Sequence, residues 1–518
     1  MIKHRRTPRR QVAFITRWAL GITGLMIAAN SLANQVLIQD VTIISPERNE
    51  PVKHQQVLIR DGRIVAIGKD IPIPKDEHTR INGKNKYLTP GLMDSHVHLS
   101  MAPGLPMPLP NTPQMQALAK AYAQQQPRSY LYHGVTQLLD PSNQAAGIAE
   151  FQAQAQKPDL LRCGAAPILN GYPSNFLPPE QRLDFMPDFI FDPKSGDTLP
   201  AGISAEDHTP EAVVARIKKS GAVCVKLFIE DGFGDQHHLP IPSKEILSRT
   251  RKAAHDVNLL VLGHANATDM QTIAVNANVD VIAHGTWNWN AEERALGQKD
   301  LTQIPPSVAQ LMQDIHAKKI GYQPTLGVLP GIASLFKDDT LLNPAYRRVL
   351  PAALLAWYQT PDAAWFKNML KEEDQIDDVA MFFRFNERVQ AQAERALKYL
   401  YDLGHPILLA SDTPSSPTYG NPPGLNTYME MQRLAKAGIS LHDILKAGTI
   451  NNAKQFGLAH DYGTVQVGKV ANLLLLNADP LQSVQAWDQI DTVLLHGEPI
   501  ARAELMATVP DEVSSSDQ

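Results

Sequence analysis

Between residues 91 and 459, short apolar runs alternate with helical stretches, and this alternation restricts the fold more than any other feature of the chain. Eight such runs are predicted as β-strands, at 92–93, 135–139, 160–168, 223–229, 259–262, 281–282, 320–325 and 407–410. Eight strands that alternate with helices favour an α/β fold of the parallel (β/α)8 TIM-barrel type over an open sheet. No dinucleotide-binding fingerprint follows any of these strands, which argues against a doubly wound fold.

The residues on both sides of the predicted barrel have the pattern of a small β-domain. Residues 34–90 contain short β-branched runs and a hairpin turn at 61–62, and a similar pattern returns at 460–506. Because chain termini often lie close together, the two regions are predicted to form one β-sandwich domain. Inside the barrel region, 91–459, residues 329–378 are predicted to be a helical insertion that forms a lid or a partner surface. The polar tail, 507–518, is predicted to be disordered.

The first 33 residues have the features of an export signal peptide. Six basic residues and no acidic ones come with an apolar run at 18–29, and Ser31-Leu32-Ala33 offers small residues at the spacing that a signal peptidase requires. We expect cleavage after Ala33 and a mature protein in the periplasm or outside the cell. An uncleaved membrane anchor is the alternative, although a membrane span needs about 20 apolar residues and this run is shorter.

Charge and cysteine content exclude some classes of protein. The formal net charge is −5, and no basic stripe occurs outside the N-terminus, which argues against a nucleic-acid partner. The two cysteines, Cys163 and Cys224, are too few for a disulfide scaffold. Both lie in apolar, strand-like segments, so buried free thiols are the preferred interpretation, with a single bridge left open.

Several of the predicted strands run into histidine or aspartate. His96 and His98 stand two apart after the first strand, so their imidazoles face the same side. Two later strands run into His264 and His284, and the last strand runs into Asp412. Because barrel enzymes have their sites at the C-terminal ends of the strands, these side chains are predicted to meet and to bind metal.

Lys226 and Asp412 each have a structural alternative. Lys226 lies within the apolar strand at 223–229, where an amine is costly unless it has partners. An isolated lysine there would more simply extend its amine towards water at the strand end. Asp412 could be a turn residue or a helix cap, but with histidines at neighbouring strand ends a catalytic, metal-binding role is preferred.

The motifs around these residues resemble those of the amidohydrolase superfamily, and most closely its imidazolonepropionase and prolidase-like branch. Four segments carry the resemblance: 90–98, 133–140, 448–453 and 463–475. The later site residues follow in the family's order: Lys226, His264, His284 and Asp412. The resemblance covers about residues 35–500 and implies a metal-dependent barrel with a β-sandwich built from both termini.

The resemblance also implies how metal ions are held. The predicted ligands divide into His96, His98 and Asp412 for one divalent ion, His264 and His284 for a second, and a carboxylated Lys226 as the bridge. Zinc is the expected metal, and manganese, iron and nickel accept the same ligand types. A metal-bound hydroxide would attack the scissile carbonyl, and Asp412 would pass the water's proton to the leaving group.

This chemistry predicts a hydrolase that cleaves an amide, peptide or cyclic amide C–N bond of a small-molecule substrate. One alternative is a lactone or phosphoester hydrolase with the same metal centre, and another is a non-catalytic barrel retained for interaction or assembly. A homo-oligomer is compatible with the sequence. Because pockets favour aromatic side chains, the candidates for substrate binding are Tyr172, Trp287 and Tyr322, with Trp289 and Tyr419 as further candidates.

Three positions depart from the family pattern. His264-Ala265-Asn266 stands where relatives often have a second histidine, Asn472 stands where many have aspartate, and no histidine occurs at 426–430. None of these departures affects the predicted metal ligands. The first and third mean that the relatives' substrates do not transfer directly to this chain.

Overall fold

The strands of this computed structural model form two hydrogen-bonded sheets. The structure describes residues 35–507 except 234–236, 291–294, 296–302, 374–375 and 377, so the predicted signal peptide and residues 508–518 of the predicted tail lie outside it. The described residues belong to one compact unit. The strands, numbered in chain order, are β1 (Gln35–Ile43), β2 (Val52–Arg60), β3 (Arg63–Gly68), β4 (Thr79–Asn82), β5 (Tyr87–Pro90), β6 (Leu92–Asp94), β7 (Val135–Asp140), β8 (Asp159–Ala165), β9 (Cys224–Phe228), β10 (Leu260–His264), β11 (Val281–Ala283), β12 (Gly321–Gln323), β13 (Leu473–Leu476), β14 (Ile490–Leu495) and β15 (Glu498–Ala501).

Helices separate the parallel strands, as the alternation in the sequence predicts. Side chains at the start of several helices accept hydrogen bonds from backbone N–H groups that would otherwise lack partners, as Thr209 does from Ala212 and Ser243 from Ile246. The α-helices of the described chain are Pro113–Tyr132, Ala145–Ala153, Arg182–Phe185, Pro210–Lys219, Lys244–Asp256, Thr268–Asn276, Pro306–Lys318, Val328–Ala333, Ala345–Val349, Ala352–Trp357, Trp365–Glu373, Val379–Asp402, Leu425–Lys436, Leu441–Lys446 and Asn452–Gln455.

The strands β6 to β12 form a parallel sheet in sequence order. The eighth predicted strand joins this sheet at both ends, through parallel bridges of Ile407 with Tyr322 and of Thr413 with Val97. These bridges place the segment between the first and last strands of the sheet. The architecture is therefore a TIM-barrel-like α/β fold, and the predicted fold class is confirmed at that level.

Most barrel strands are buried on both faces, whereas β8 is largely half-buried. Every residue of β7 and of β9 is buried, which is typical of parallel strands that are covered on two sides and explains why these segments are continuous apolar runs. Any ionisable side chain on such a strand is removed from water. This burial governs the chemistry of the polar residues at the strand ends.

Cys163 of β8 and Cys224 of β9 form a disulfide, which corrects the preferred expectation of free thiols. The two residues are direct partners in the parallel register, with their Cα atoms 4.4 Å apart. They are separated by 61 positions in the sequence. Only the pairing of two neighbouring strands brings them together, and this pairing is not visible in the local pattern around either cysteine.

Strands from both ends of the chain form the second sheet. It has eight strands in the order β15-β14-β13-β5-β1-β2-β3, with β4 paired to β1. The C-terminal strand β13 pairs with the N-terminal strand β5, antiparallel, from Leu473 opposite Pro90 to Leu476 opposite Tyr87. The two termini thus share one sheet, while the two stacked layers of a sandwich stay a prediction.

The segment predicted as an insertion is helical where the structure describes it, with four helices from Val328–Ala333 to Trp365–Glu373. It is tied to the loop that follows the first barrel strand, because the indole N–H of Trp365 donates to the carbonyl of Gly104 at 2.9 Å. The hydroxyl of Tyr358 donates to the carbonyl of Pro103 in the same loop.

Among the described residues, no helix is both long and apolar enough to span a bilayer.

Candidate metal centre

Three imidazoles surround the carboxylate of Asp412 at the C-terminal ends of the barrel strands. Asp412 Oδ1 lies 3.0 Å from His98 Nε2 and 3.6 Å from His96 Nε2. Asp412 Oδ2 lies 3.4 Å from His284 Nδ1. One ligand atom from each of His96, His98 and Asp412 lies within 4.8 Å of the others, close enough for all three to bind one ion.

Burial and mutual charge set the ionisation of this group. Burial alone raises the pKa of Asp412, but the imidazoles of His96 and His284 outweigh that effect and hold the pKa below its usual value. Burial lowers the pKa of both His96 and His284 well below the usual value, so these rings are neutral. Burial also lowers the pKa of His98, but its bond to Asp412 outweighs this and raises it. His96 and His284 are thus in the neutral form and Asp412 in the ionised form that bind metal, and metal binding would displace a proton from His98.

Neighbouring side chains orient the histidines. Nδ1 of His96 lies 3.0 Å from Oε1 of Gln323, whose amide nitrogen donates to the carbonyl of Ser95 at 2.6 Å. Nδ1 of His98 lies 3.4 Å from the carbonyl of Ser142. Holding Nδ1 in this way turns Nε2 of each ring towards Asp412, as the partners of metal-binding histidines commonly do.

The backbone at three of these strand ends lies in the left-handed region. His284 has φ 85°, Asp412 has φ 55° and Thr325 has φ 42°. Such conformations are uncommon for residues other than glycine, and they persist only where the surrounding structure holds them, often at functional sites. Thr325 Oγ1 lies 3.1 Å from Nδ1 of His284, so two of these residues are in contact.

The amine of Lys226 lies inside the barrel without a hydrogen-bond partner among the described residues. Only 1% of the residue is exposed. Burial lowers the pKa of Lys226 to about 7, and the charge of Asp412 opposes that shift only in part. The amine lies 5.7 Å from the ring centroid of Phe228, which lies 5.9 Å from that of His264. Its charge lowers the pKa values of His96, His264 and His284.

His264 extends the group through its contact with His284. Its ring centroid lies 4.5 Å from that of His284, which in turn lies 4.9 Å from that of His96. Its Nε2 atom lies 3.5 Å from Oε2 of Glu230 and 3.3 Å from Nδ2 of Asn266. All six predicted ligands are therefore gathered at one end of the barrel, although their binding of metal stays a prediction.

Glu230 is a site residue that the sequence reasoning missed. It is buried, and its Oε2 atom accepts the backbone N–H of Asn266 at 3.1 Å, while Oε1 has no partner among the residues that the structure describes. Burial raises the pKa of Glu230 to about 8. A signal was present, because Glu230 follows Lys226 by four positions at the end of an apolar run, on the same side of an extended chain.

Two of the predicted substrate-binding aromatics lie beside the histidines. The ring of Tyr172 lies 4.6 Å from that of His264, and the ring of Trp287 lies 5.6 Å from that of His284. The indole nitrogen of Trp287 has no partner among the described residues. Both side chains can therefore contact a molecule bound at the histidines.

The other aromatic candidates have structural contacts. The hydroxyl of Tyr322, a fully buried residue, accepts the backbone N–H of Thr286 at 2.9 Å. The indole of the buried Trp289 donates to the carbonyl of Thr286 at 3.1 Å. Tyr419 packs on Tyr358, with ring centroids 4.9 Å apart. These contacts favour structural roles for all three, while substrate contacts by them stay predictions.

A second group of potential ligands lies near the surface. It consists of Asp231, His237 and Asp269, of which the last two are exposed. Exposed acidic groups are common without a bound ion. The group of His96, His98 and Asp412 is the stronger candidate because His96 and Asp412 are buried and His98 is half-buried.

A barrel whose strand ends gather imidazoles, a carboxylate and a buried amine has the donor groups of a metal-binding barrel protein. Residues 87–500 match the model of the amidohydrolase family, and the chain belongs to that family. The resemblance expected from the motifs is confirmed.

Curated relatives match shorter stretches. The imidazolonepropionase of Shouchella clausii (strain KSM-K16) is 29% identical over 135 residues, which are 25% of this chain and 28% of that protein. The imidazolonepropionase of Shewanella piezotolerans (strain WP3 / JCM 13877) is 38% identical over 69 residues, 12% of this chain and 17% of that protein. The chain thus spans less than a third of the length of either relative.

Solved structures match almost the whole chain. A Xaa-Pro dipeptidase with bound methionine, molinate hydrolase and A. niger ochratoxinase each have a TM-score of 0.60 and 17% identity to this chain. The matches cover 90%, 91% and 90% of this chain and 100%, 95% and 95% of those chains. At this identity the likeness shows the fold alone.

Proposed function

We propose that the protein hydrolyses an amide, peptide or cyclic amide C–N bond of a small molecule with the help of bound divalent metal. One observation carries this proposal: the carboxylate of Asp412 lies among three imidazoles, beside the buried and unpartnered amine of Lys226. Membership of the amidohydrolase family supports the same reaction class.

The donor set fits divalent metal. Neutral imidazoles and an ionised carboxylate suit zinc, with manganese, iron and nickel as alternatives. We assign His96, His98 and Asp412 to one ion and His264 and His284 to a second. When bound, such ions lower the pKa of water and polarise a carbonyl oxygen.

We assign Lys226 the role of a bridge between the two ions, as a carbamate. A lysine ammonium would repel dications, by roughly 4 kcal/mol for each unit-charge pair at about 4 Å and an effective dielectric of about 20. Burial lowers the pKa of Lys226 to about 7, so neutral amine is available near pH 7. The nitrogen of the neutral amine adds to CO2 and loses one proton. The product is a negatively charged carbamate with two oxygens.

We assign to Asp412 the transfer of the attacking water's proton. Its pKa is lowered by the neighbouring imidazoles, so it is ionised and can accept that proton and pass it to the leaving nitrogen. Tyr172 and Trp287 face the same region. Burial raises the pKa of Tyr172, and the charges of Asp412 and Glu230 raise it further, so its hydroxyl stays protonated and can donate to a substrate oxygen.

One assay distinguishes the proposed amide hydrolysis from the alternative functions of the same site. Metal-replete protein would be supplied with N-acyl amino acids, dipeptides and cyclic amides, and in parallel with lactones and phosphoesters. We expect hydrolysis of an amide that stops on chelation and returns with zinc. Turnover of lactones or phosphoesters alone would favour the alternative hydrolases, and no turnover in any class with metal bound would favour a non-catalytic barrel.

We also propose that the protein is exported. The basic and apolar start of the chain supports export, and so does the Cys163–Cys224 bridge, because disulfides persist in oxidising compartments. N-terminal sequencing of the native protein should begin at Asn34. A native chain that begins at Met1 would contradict cleavage, and its recovery in the membrane or cytoplasmic fraction would separate an anchor from a protein that is not exported.

A further inference from the structure

Four aromatic side chains form a continuous group next to His264. We call this group the aromatic rim, and it consists of Tyr172, Phe176, Phe228 and Phe233. The ring of Tyr172 is central, with its centroid 5.7 Å from Phe176, 5.9 Å from Phe228 and 5.3 Å from Phe233. The rings of Phe176 and Phe233 are nearly parallel, at 16°, with centroids 6.4 Å apart.

The outer half of the rim is exposed, which is unusual for phenylalanine. Phe176 is 65% exposed and Phe233 is 45% exposed, while Phe228 is buried. A lone exposed apolar residue is ordinary, but two phenylalanines from different loops that meet in solvent keep apolar area in contact with water. Such grouped apolar surface is typical of binding sites.

The inner half of the rim touches the candidate metal centre. Tyr172 lies 4.6 Å from His264, ring to ring, and Phe228 lies 5.9 Å from the same ring. Phe228 stands two positions after Lys226 on β9, and the amine of Lys226 lies 5.7 Å from its ring. The rim therefore leads without interruption from solvent to the proposed reaction centre.

We propose that the aromatic rim binds an aromatic group of the substrate, attached to the amide whose C–N bond lies at the metal centre. This inference rests on the proposed function and deepens it by naming the substrate class. An aromatic ring suits this surface because it buries a large apolar area and packs edge to face or offset against other rings. The position beside His264 favours a substrate group over a separate partner, because the surface is continuous with the reaction centre.

The test compares ligands that differ only in the ring. Hydrolysis of N-acetyl-L-phenylalanine and N-acetyl-L-alanine would be measured on metal-loaded protein, and binding of L-phenylalanine and L-alanine would be measured by calorimetry. We expect the aromatic member of each pair to bind at least about tenfold more tightly, or to show a correspondingly lower KM. Phe176→Ala and Phe233→Ala should each remove most of that preference.

The matched control is Phe385→Ala, because Phe385 is also exposed, at 41%, and packs against Arg388 instead of the rim. It should leave the preference unchanged, and thermal melting would check that all three variants fold. Equal binding of the two amino acids by the unaltered protein, or a preference that survives both rim variants, would overturn the proposal. A dimer in light scattering that dissociates in the rim variants, with ligand binding unchanged, would overturn it in favour of a second copy of the chain.

Failure of the proposed function gives a different result. If neither amide is hydrolysed while L-phenylalanine still binds more tightly than L-alanine in a rim-dependent way, the rim is supported and amide hydrolysis is not. If both amides are hydrolysed at equal efficiency and no binding preference exists, amide hydrolysis is supported and the rim is not.

Discussion

The two halves of the candidate metal centre differ in how completely their polar atoms are bonded. In the Asp412 half, the outward Nδ1 atoms of His96 and His98 both have partners. Oδ1 of Asp412 makes no hydrogen bond among the described residues, although it lies 3.0 Å and 3.6 Å from the Nε2 atoms of His98 and His96. In the Lys226 half, the amine of Lys226 and one side-chain oxygen each of Glu230 and Asn266 lack partners among the described residues.

Unpartnered buried polar atoms cost roughly 1–3 kcal/mol each. Among the described residues, one such atom lies in the Asp412 half and three lie in the Lys226 half, so the protein itself organises the Asp412 half more completely. The proposed carbamate and metal would complete the bonding of Lys226. The comparison predicts that substitutions in the two halves have different consequences.

Replacing the acid at the centre of the organised half should have the largest effect. We expect Asp412→Asn to lower kcat by about 10²–10⁴-fold with little change in KM, because proton transfer is lost while the shape is kept. Steady-state kinetics on the amide found in the substrate screen would measure it. The control is Asp256→Asn, on an exposed helix end, and activity of Asp412→Asn within a few-fold of wild type would contradict the role.

Removing the amine of Lys226 should show that the Lys226 half depends on carboxylation of this lysine. We expect Lys226→Met to lose at least one metal ion per chain and most of its activity, and a short carboxylic acid in the buffer to restore part of that activity. Elemental analysis would count the metal, with Lys252→Met at an exposed helix position as the control. Two full equivalents of metal and unchanged turnover would rule out the carbamate.

Removing the side chain that orients His96 should weaken metal binding, although no proposed metal ligand is replaced. Oε1 of Gln323 accepts the hydrogen bond from Nδ1 of His96, and its amide nitrogen donates to the carbonyl of Ser95, so Gln323→Leu frees the His96 ring. We expect metal affinity to fall by about 10–100-fold. Competition with a chelator would measure it, with the exposed Gln310→Leu as the control, and an unchanged affinity would show that His96 needs no such support.

Replacing Glu230, which lies beside His264 in the Lys226 half, should have the smallest effect on metal affinity. Glu230 lies 3.5 Å from His264, which is longer than a good hydrogen bond, and one of its oxygens is unbonded. We therefore expect Glu230→Gln to weaken metal binding by less than about tenfold in the same chelator assay. A loss of metal affinity as large as that of Gln323→Leu would mean that both halves are equally organised, which would contradict the difference proposed between them.

The sequence predicts the site candidates that end apolar runs. It does not predict the residues that orient these candidates through hydrogen bonds. His264, His284 and Asp412 each follow a short apolar strand, and that pattern is visible in the sequence. Gln323 and Thr325 also end a strand, but their importance depends on which histidine lies opposite. That information exists only once the order of neighbouring strands is known.

The sequence by itself determined the α/β class, the positions of most barrel strands and the family. The physical reason is that apolar periodicity and strand-end residues act over a few positions and leave their pattern in the local sequence. The tertiary structure alone decided the Cys163–Cys224 bridge, the register in which β5 pairs with β13, and the aromatic rim. Each of these joins residues that are distant along the chain, and such contacts are set by strand pairing and loop packing, which no local pattern specifies.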